Sequence, residues 1–127
     1  MIFDWRNGLI WVTLEIEYEG NTYEIDNCIM DTGSATTAID IDLVDFNVKK
    51  PAVIKQLIGI GGGKQEVLAQ TVNKVIIDQV ELTNFEIEFG NFHKEHGING
   101  FLGNDVLSQF TVTIDYAKRK IDFKSQS

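Results

Sequence analysis

The sequence predicts an all-β domain, a barrel or sandwich, with one short helix near the C-terminus. Apolar and polar side chains alternate with a period of two along most of the chain. Turn-forming residues recur between these runs, and no long stretch shows helical spacing. The 127 residues suit one domain, taken as 1–127.

Ile10, Val12, Leu14, Ile16 and Tyr18 share one face against Trp11, Thr13, Glu15 and Glu17 on the other, which predicts a half-buried strand over 10–18. Glu19-Gly20-Asn21 is a turn, and residues 22–30 form a second strand that ends in Cys28-Ile29-Met30. This hairpin delivers the chain to Asp31. A short strand or loop is expected around residues 43–48. Runs over 53–60 and 64–71, joined by Gly61-Gly62-Gly63, read as a glycine-tipped hairpin. Two further strands, 72–77 and 80–89, flank an Asp78-Gln79 turn, and a polar loop spans 90–97. Asn104 precedes Val106, Leu107 and Phe110 at helical spacing, so it is read as the cap of the short helix. Strands over 111–115 and 120–123 close the chain.

The formal net charge of −8 is spread along the chain. It repels nucleic-acid phosphates, which argues against that partner. It keeps the surface solvated and mildly favours basic peptides over acidic ones. The single cysteine, Cys28, has no partner for an internal disulfide or a Cys-x-x-Cys metal site. Residues 1–6 lack a secretion-signal pattern, and no stretch reaches the length of a transmembrane helix. These features favour a cytoplasmic location and a chain with no membrane segment.

The residues with the most chemistry are Asp31-Thr32-Gly33, followed by Ser34. The tripeptide alone recurs by chance in about one chain in twenty of this length. Its place at the end of an apolar strand is more informative. A carboxylate held at the border of a core is costly unless hydrogen-bonded. Gly33 lets the backbone turn and bring its N–H to the carboxylate. Thr32 supplies a hydroxyl that braces the loop, and Ser34 is expected to donate to an outer carboxylate oxygen.

Three segments together resemble the retropepsin-type aspartic proteases, in their bacterial and cellular branch. The stretch from Ile29 through Asp31-Thr32-Gly33-Ser34 to Thr37 is similar to the catalytic loop. The hairpin near Gly59–Gly63 stands where the family has its substrate-covering flap. Ile98-Asn99-Gly100-Phe101-Leu102-Gly103-Asn104-Asp105-Val106-Leu107 is similar to the later apolar-apolar-Gly segment that packs beside the catalytic loop. The resemblance runs over about residues 10–124 and implies a closed retropepsin-type (acid protease) β-barrel.

It also implies an aspartic endopeptidase in which two aspartates share a proton and activate a water, with no metal and no other cofactor. Asp31, Thr32 and Gly33 take the catalytic positions and Ser34 a supporting one. Ile58, Gly59, Ile60, Gly61, Gly62, Ile98 and Phe101 are the candidate flap and substrate-contact residues. Because the chain holds a single Asp-Thr-Gly, the resemblance implies a homodimer that sets Asp31 against its own copy. Residues 1–8 and 120–127 are candidates for its intersubunit sheet. Ser34 departs from the retroviral pattern, which has Ala there, and is similar to the pepsins. The alternative is a catalytically inert dimerisation or peptide-binding module on the same fold.

Other signals point to bland roles. His93 and His96 sit three apart, but with no helix and no third ligand they read as a solvated loop. The glycines near Lys64 match neither phosphate-binding fingerprint. Cys28 has apolar neighbours and reads as a buried structural thiol. Trp5 and Trp11 read as packing or dimer residues, Asp105 as a first-turn helix residue, and Asp115 as a strand end.

Overall fold

A computed structural model describes residues 1–58, 63–93 and 97–125. Among them the strands are β1 (Asp4–Arg6), β2 (Leu9–Tyr18), β3 (Asn21–Met30), β4 (Ala38–Asp40), β5 (Val53–Ile58), β6 (Lys64–Ile77), β7 (Val80–Gly90), β8 (Gly100–Leu102), β9 (Phe110–Asp115) and β10 (Lys120–Ser125). A 3-10 turn spans Ile41–Leu43, and a short helix, α1, spans Asn104–Leu107.

Eight strands are joined in the order β1-β2-β3-β8-β4-β7-β6-β5, and β2 also pairs with β6. The hydrogen bonding therefore returns on itself, from β2 through β3, β8, β4, β7 and β6 back to β2. β9 and β10 form a separate two-stranded sheet. The β2–β3 turn works because Glu19 and Gly20 both adopt positive φ, at 51° and 79°. That geometry matches the twist of the flanking strands.

The alternation read in β2 is the one that folds. Leu14, Ile16 and Tyr18 are almost fully buried and pack with Ile25, Cys28, Ile87, Phe89, Leu102, Val106 and Ile121 in one core. Full burial of each large apolar side chain is worth about 1.5–3 kcal/mol. Tyr18 keeps its phenol satisfied inside: it donates to Gln70 Oε1 at 2.5 Å and accepts from the Asn47 amide at 3.0 Å. Burial raises its pKa above the ordinary value despite the Asn47 donor.

The structure differs from the sequence reading in several places. Residues 64–77 form one continuous strand rather than two, because β6 pairs in turn with β5, β7 and β2. Of the strand or loop expected at 43–48 it is the loop that forms, and an unexpected short strand lies earlier, at Ala38–Asp40, stabilised by β7 on one edge and β8 on the other. The flanking strands of the glycine-tipped hairpin are present, while Gly59, Ile60, Gly61 and Gly62 lie outside the described residues, as does His96. The N-cap position of α1 is Gly103, not Asn104, and it offers no side-chain cap. No helix is long and apolar enough to cross a membrane among the described residues.

The chain ends meet within the one chain. Ile2 bridges to Lys120, the Ile121 amide donates to the Met1 carbonyl, and the Phe3 amide donates to Arg119. Residues 1–3 thus take one edge of β10 and β9 takes the other.

Candidate active site

β3 and β8 run parallel, with Cys28 beside Gly100, Ile29 beside Phe101 and Met30 beside Leu102. The Asp31 amide extends the ladder by donating to the Leu102 carbonyl at 2.9 Å. Asp31 is thereby delivered, half-buried, at the mouth of the sheet.

An irregularity upstream decides which face it occupies. The β2–β3 register shifts between Val12 and Leu14, and Asn27 there takes a left-handed φ of 51°. Ile25 faces the core before the bulge, and Cys28 and Met30 face it afterwards. The extra residue flips the alternation. Ile29, and Asp31 after it, therefore belong to the side away from the main core.

The loop is built around the carboxylate. The Gly33 amide donates to Asp31 Oδ1 at 2.9 Å, and a Cβ at Gly33 would lie 3.1 Å from that same oxygen. The Ser34 amide donates to the Asp31 carbonyl at 3.1 Å. Thr32 and Gly33 are exposed, which leaves the outer side of the loop open. The Ser34 hydroxyl does not reach Asp31: it donates to the Thr36 carbonyl at 2.7 Å. A serine hydroxyl has a single proton, so the expected bond to the outer carboxylate oxygen is replaced by a brace within the loop.

The segment after Gly33 rests on the β8–α1 junction. The Asn104 and Asp105 amides donate to the Ser34 and Ala35 carbonyls at 2.8 and 3.1 Å, and Asn104 Nδ2 donates to the Thr32 carbonyl at 2.7 Å. Backbone approaches backbone so closely that a Cβ on Gly103 would fall 2.2 Å from the Thr36 carbonyl oxygen. Asp105 does more than sit in a helix's first turn. Its carboxylate accepts from the Thr37 amide at 3.0 Å, the Thr37 hydroxyl at 2.6 Å and the Val106 amide at 2.8 Å. The Thr37 hydroxyl in turn accepts from the Gly103 amide at 3.0 Å. Thr36 donates to Glu88 Oε2 on β7 at 2.5 Å. The sequence offered only one hint of these clamps, the paired threonines Thr36 and Thr37, with two residues between them and the Asp-Thr-Gly segment.

Two further polar clusters tie neighbouring segments of the fold together. Asp40, buried at the end of β4, accepts from the Asp42, Phe92 and His93 amides at 2.9, 2.8 and 2.8 Å. Burial alone pushes its pKa up, but these three donors and the nearby His93 outweigh it and hold the carboxyl below its ordinary value. His93 Nδ1 lies 2.6 Å from Asn99 Oδ1, and Asn99 Nδ2 donates to Asp26 at 2.9 Å. Asn99 Oδ1 only accepts, so His93 Nδ1 carries the proton. Among the described residues no group of three or more His, Cys, Asp or Glu is placed to hold a metal. Cys28 is fully buried beneath Gly100; burial, with a contribution from Asp26, pushes its thiol up to about 12.

Of the substrate-contact candidates, Phe101 is half-buried and packs edge-on against Phe92 at 5.4 Å, and Ile98 is half-buried on the approach to β8. Ile58 ends β5 opposite Lys64. Trp11 is buried beneath the Arg6 guanidinium, whereas Trp5 is exposed against Tyr116.

No protein-family model and no curated protein matches the chain. Among solved structures it is similar to a retropepsin-like aspartic protease from Rickettsia conorii, with 19% identity and a TM-score of 0.63 over 90% of this chain and 82% of that one. A likeness at this identity is a statement about architecture: the chain has the retropepsin-like fold.

Proposed function

We propose that the chain is an aspartic endopeptidase that works as a homodimer. The observation that carries this reading is Asp31 itself: a half-buried carboxylate at the end of a core strand, accepting from the Gly33 amide inside a loop clamped by Asn104, Asp105 and Glu88. Such a loop holds a carboxylate still and leaves its outer side accessible. One chain supplies one such aspartate. A two-fold dimer supplies the second.

Two carboxylates facing each other cannot both ionise, so the pair carries one proton. The ionised member takes a proton from a bound water while the protonated member hydrogen-bonds the scissile carbonyl. The water oxygen adds to the carbonyl carbon, giving a tetrahedral diol. Proton transfer to the nitrogen and cleavage of the C–N bond release an amine and an acid. Ile58, Ile98 and Phe101, with Gly59, Ile60, Gly61 and Gly62 outside the described residues, are the residues assigned to contact an extended peptide. Thr32, exposed beside the carboxylate, is assigned to bracing one loop against the other.

The test is cleavage of a peptide library across the acidic range, with Asp31→Asn in parallel and sizing of both proteins. Cleavage between apolar residues that Asp31→Asn abolishes is the expected result. A dimer of correct size in which neither protein cleaves any peptide would sink the enzyme reading and favour the inert peptide-binding module.

A further inference from the structure

Glu88 is 4% exposed, yet it lies on the face of the sheet that points away from the main core. The register shows why. Ala69 on β6 pairs with Glu88 on β7, Glu88 with Ala38 on β4, Ala38 with Phe101 on β8, and Phe101 with Ile29 on β3. Cross-strand partners share a face. None of these residues belongs to the core cluster, whereas their chain neighbours Ile87, Phe89, Ile39, Leu102 and Cys28 do. Asp31 follows Ile29 on the same side. The two carboxylates therefore share one face, three strand spacings apart across the sheet, or about 14 Å.

Among the described residues Glu88 is held by a hydroxyl and makes no ion pair. Its Oε2 accepts the Thr36 hydroxyl at 2.5 Å. Among the described residues no group donates to Oε1. Lys55 on β5 is close enough to feel the Glu88 charge, but its hydrogen bond and ion pair go to Glu86. Both lateral neighbours of Glu88 on the adjacent strands are alanines, which bring no polar partner to its carboxylate.

We infer that Glu88, oriented by Thr36, forms an anionic subsite that selects a lysine or arginine side chain in the substrate. This rests on the protease reading. An extended peptide advances about 3.3 Å per residue, so the selected residue lies roughly two to four positions from the scissile bond. Two-fold symmetry repeats the subsite on both flanks. The chain's net charge of −8 favours the same class of peptide.

The test compares matched peptides with lysine or norleucine at each position around the cut, on the full-length protein. The wild type is expected to show a ratio of kcat/KM, lysine over norleucine, of about tenfold or more at a fixed position, the scale of a charge-assisted hydrogen bond. Glu88→Gln is expected to bring that ratio close to one. A wild type with no such preference, or a Glu88→Gln protein that retains it, overturns the subsite and leaves the protease reading standing. A Glu88→Gln protein that cuts both peptides more slowly at an unchanged ratio marks Glu88 as a structural brace only. If no peptide is cut, the protease reading fails separately, and titration of the same two peptides decides the subsite. Tighter binding of the lysine peptide, lost in Glu88→Gln, supports it; equal or absent binding overturns it.

Discussion

Ser34 offers a single hydroxyl proton, and the Thr36 carbonyl takes it at 2.7 Å. Ser34→Ala should therefore leave the acidic limb of a pH–rate profile where it is. It should cost about 0.5–1.5 kcal/mol of stability, measured by urea unfolding. A moved acidic limb would mean that the hydroxyl serves Asp31 after all. Cys28 makes a second residue-scale case. With its thiol pushed up to about 12 by burial, it should resist alkylation at mildly alkaline pH in the folded protein and react freely in denaturant. The sign follows from the raised value: the stability it contributes is complete below the ordinary thiol pKa and is lost as pH rises toward the folded one. Rapid native labelling would contradict the burial.

At the scale of elements, the junction of β8 with α1 matters more than the helix does. α1 has only four residues and no side-chain N-cap, so its own propensity contributes little. Its worth lies in Asp105, which satisfies both the amide and the hydroxyl of Thr37, and in Gly103, which lets β8 lie against the loop. Gly103→Ala should destabilise the fold by about 3 kcal/mol or more, because the clash at 2.2 Å is with a backbone carbonyl that cannot rotate away. Asp105→Ala should cost about 1–3 kcal/mol for the donors it strands. Thermal melts of both variants check this, and an unchanged midpoint for Gly103→Ala would show that the loop rests elsewhere.

For the whole molecule, pH acts through Asp40, which ties β4 to the Phe92–His93 segment. Its pKa is lowered in the folded state, so its stabilisation is present above the unfolded carboxylate value, about 3.9, and is lost as pH falls through the folded value. Asp40→Asn should lower stability at neutral pH and flatten its decline in acid, read from urea midpoints at several pH values. A variant that declines in parallel with the wild type would place the acid sensitivity elsewhere. The dimer is a whole-molecule matter too. If two copies of Asp31 make one site, activity per chain should fall on dilution below the dimer's dissociation constant. Activity strictly proportional to concentration, in samples that sizing shows to be monomeric, would overturn that arrangement.

Much was legible in the residues. Period-two alternation gave β2, β3, β7, β9 and β10 to within a residue or two, because a half-buried strand writes its own pattern. The Asp-Thr-Gly tripeptide announced a tight turn with an amide on the carboxylate, a local geometry that three residues specify by themselves. What tertiary structure alone decided were the non-local pairings. β4 and β8 have three residues each and no pattern of their own; they are strands because neighbours occupy their edges. The Ser34 hydroxyl found the nearer acceptor, and Glu88, an ordinary outward residue in its own strand, reached Thr36 only once β7 lay beside β4. Above all, the bulge at Asn27 put Asp31 on the open face rather than in the core. One extra residue reverses every side chain after it, and where that residue is tolerated depends on the strands alongside.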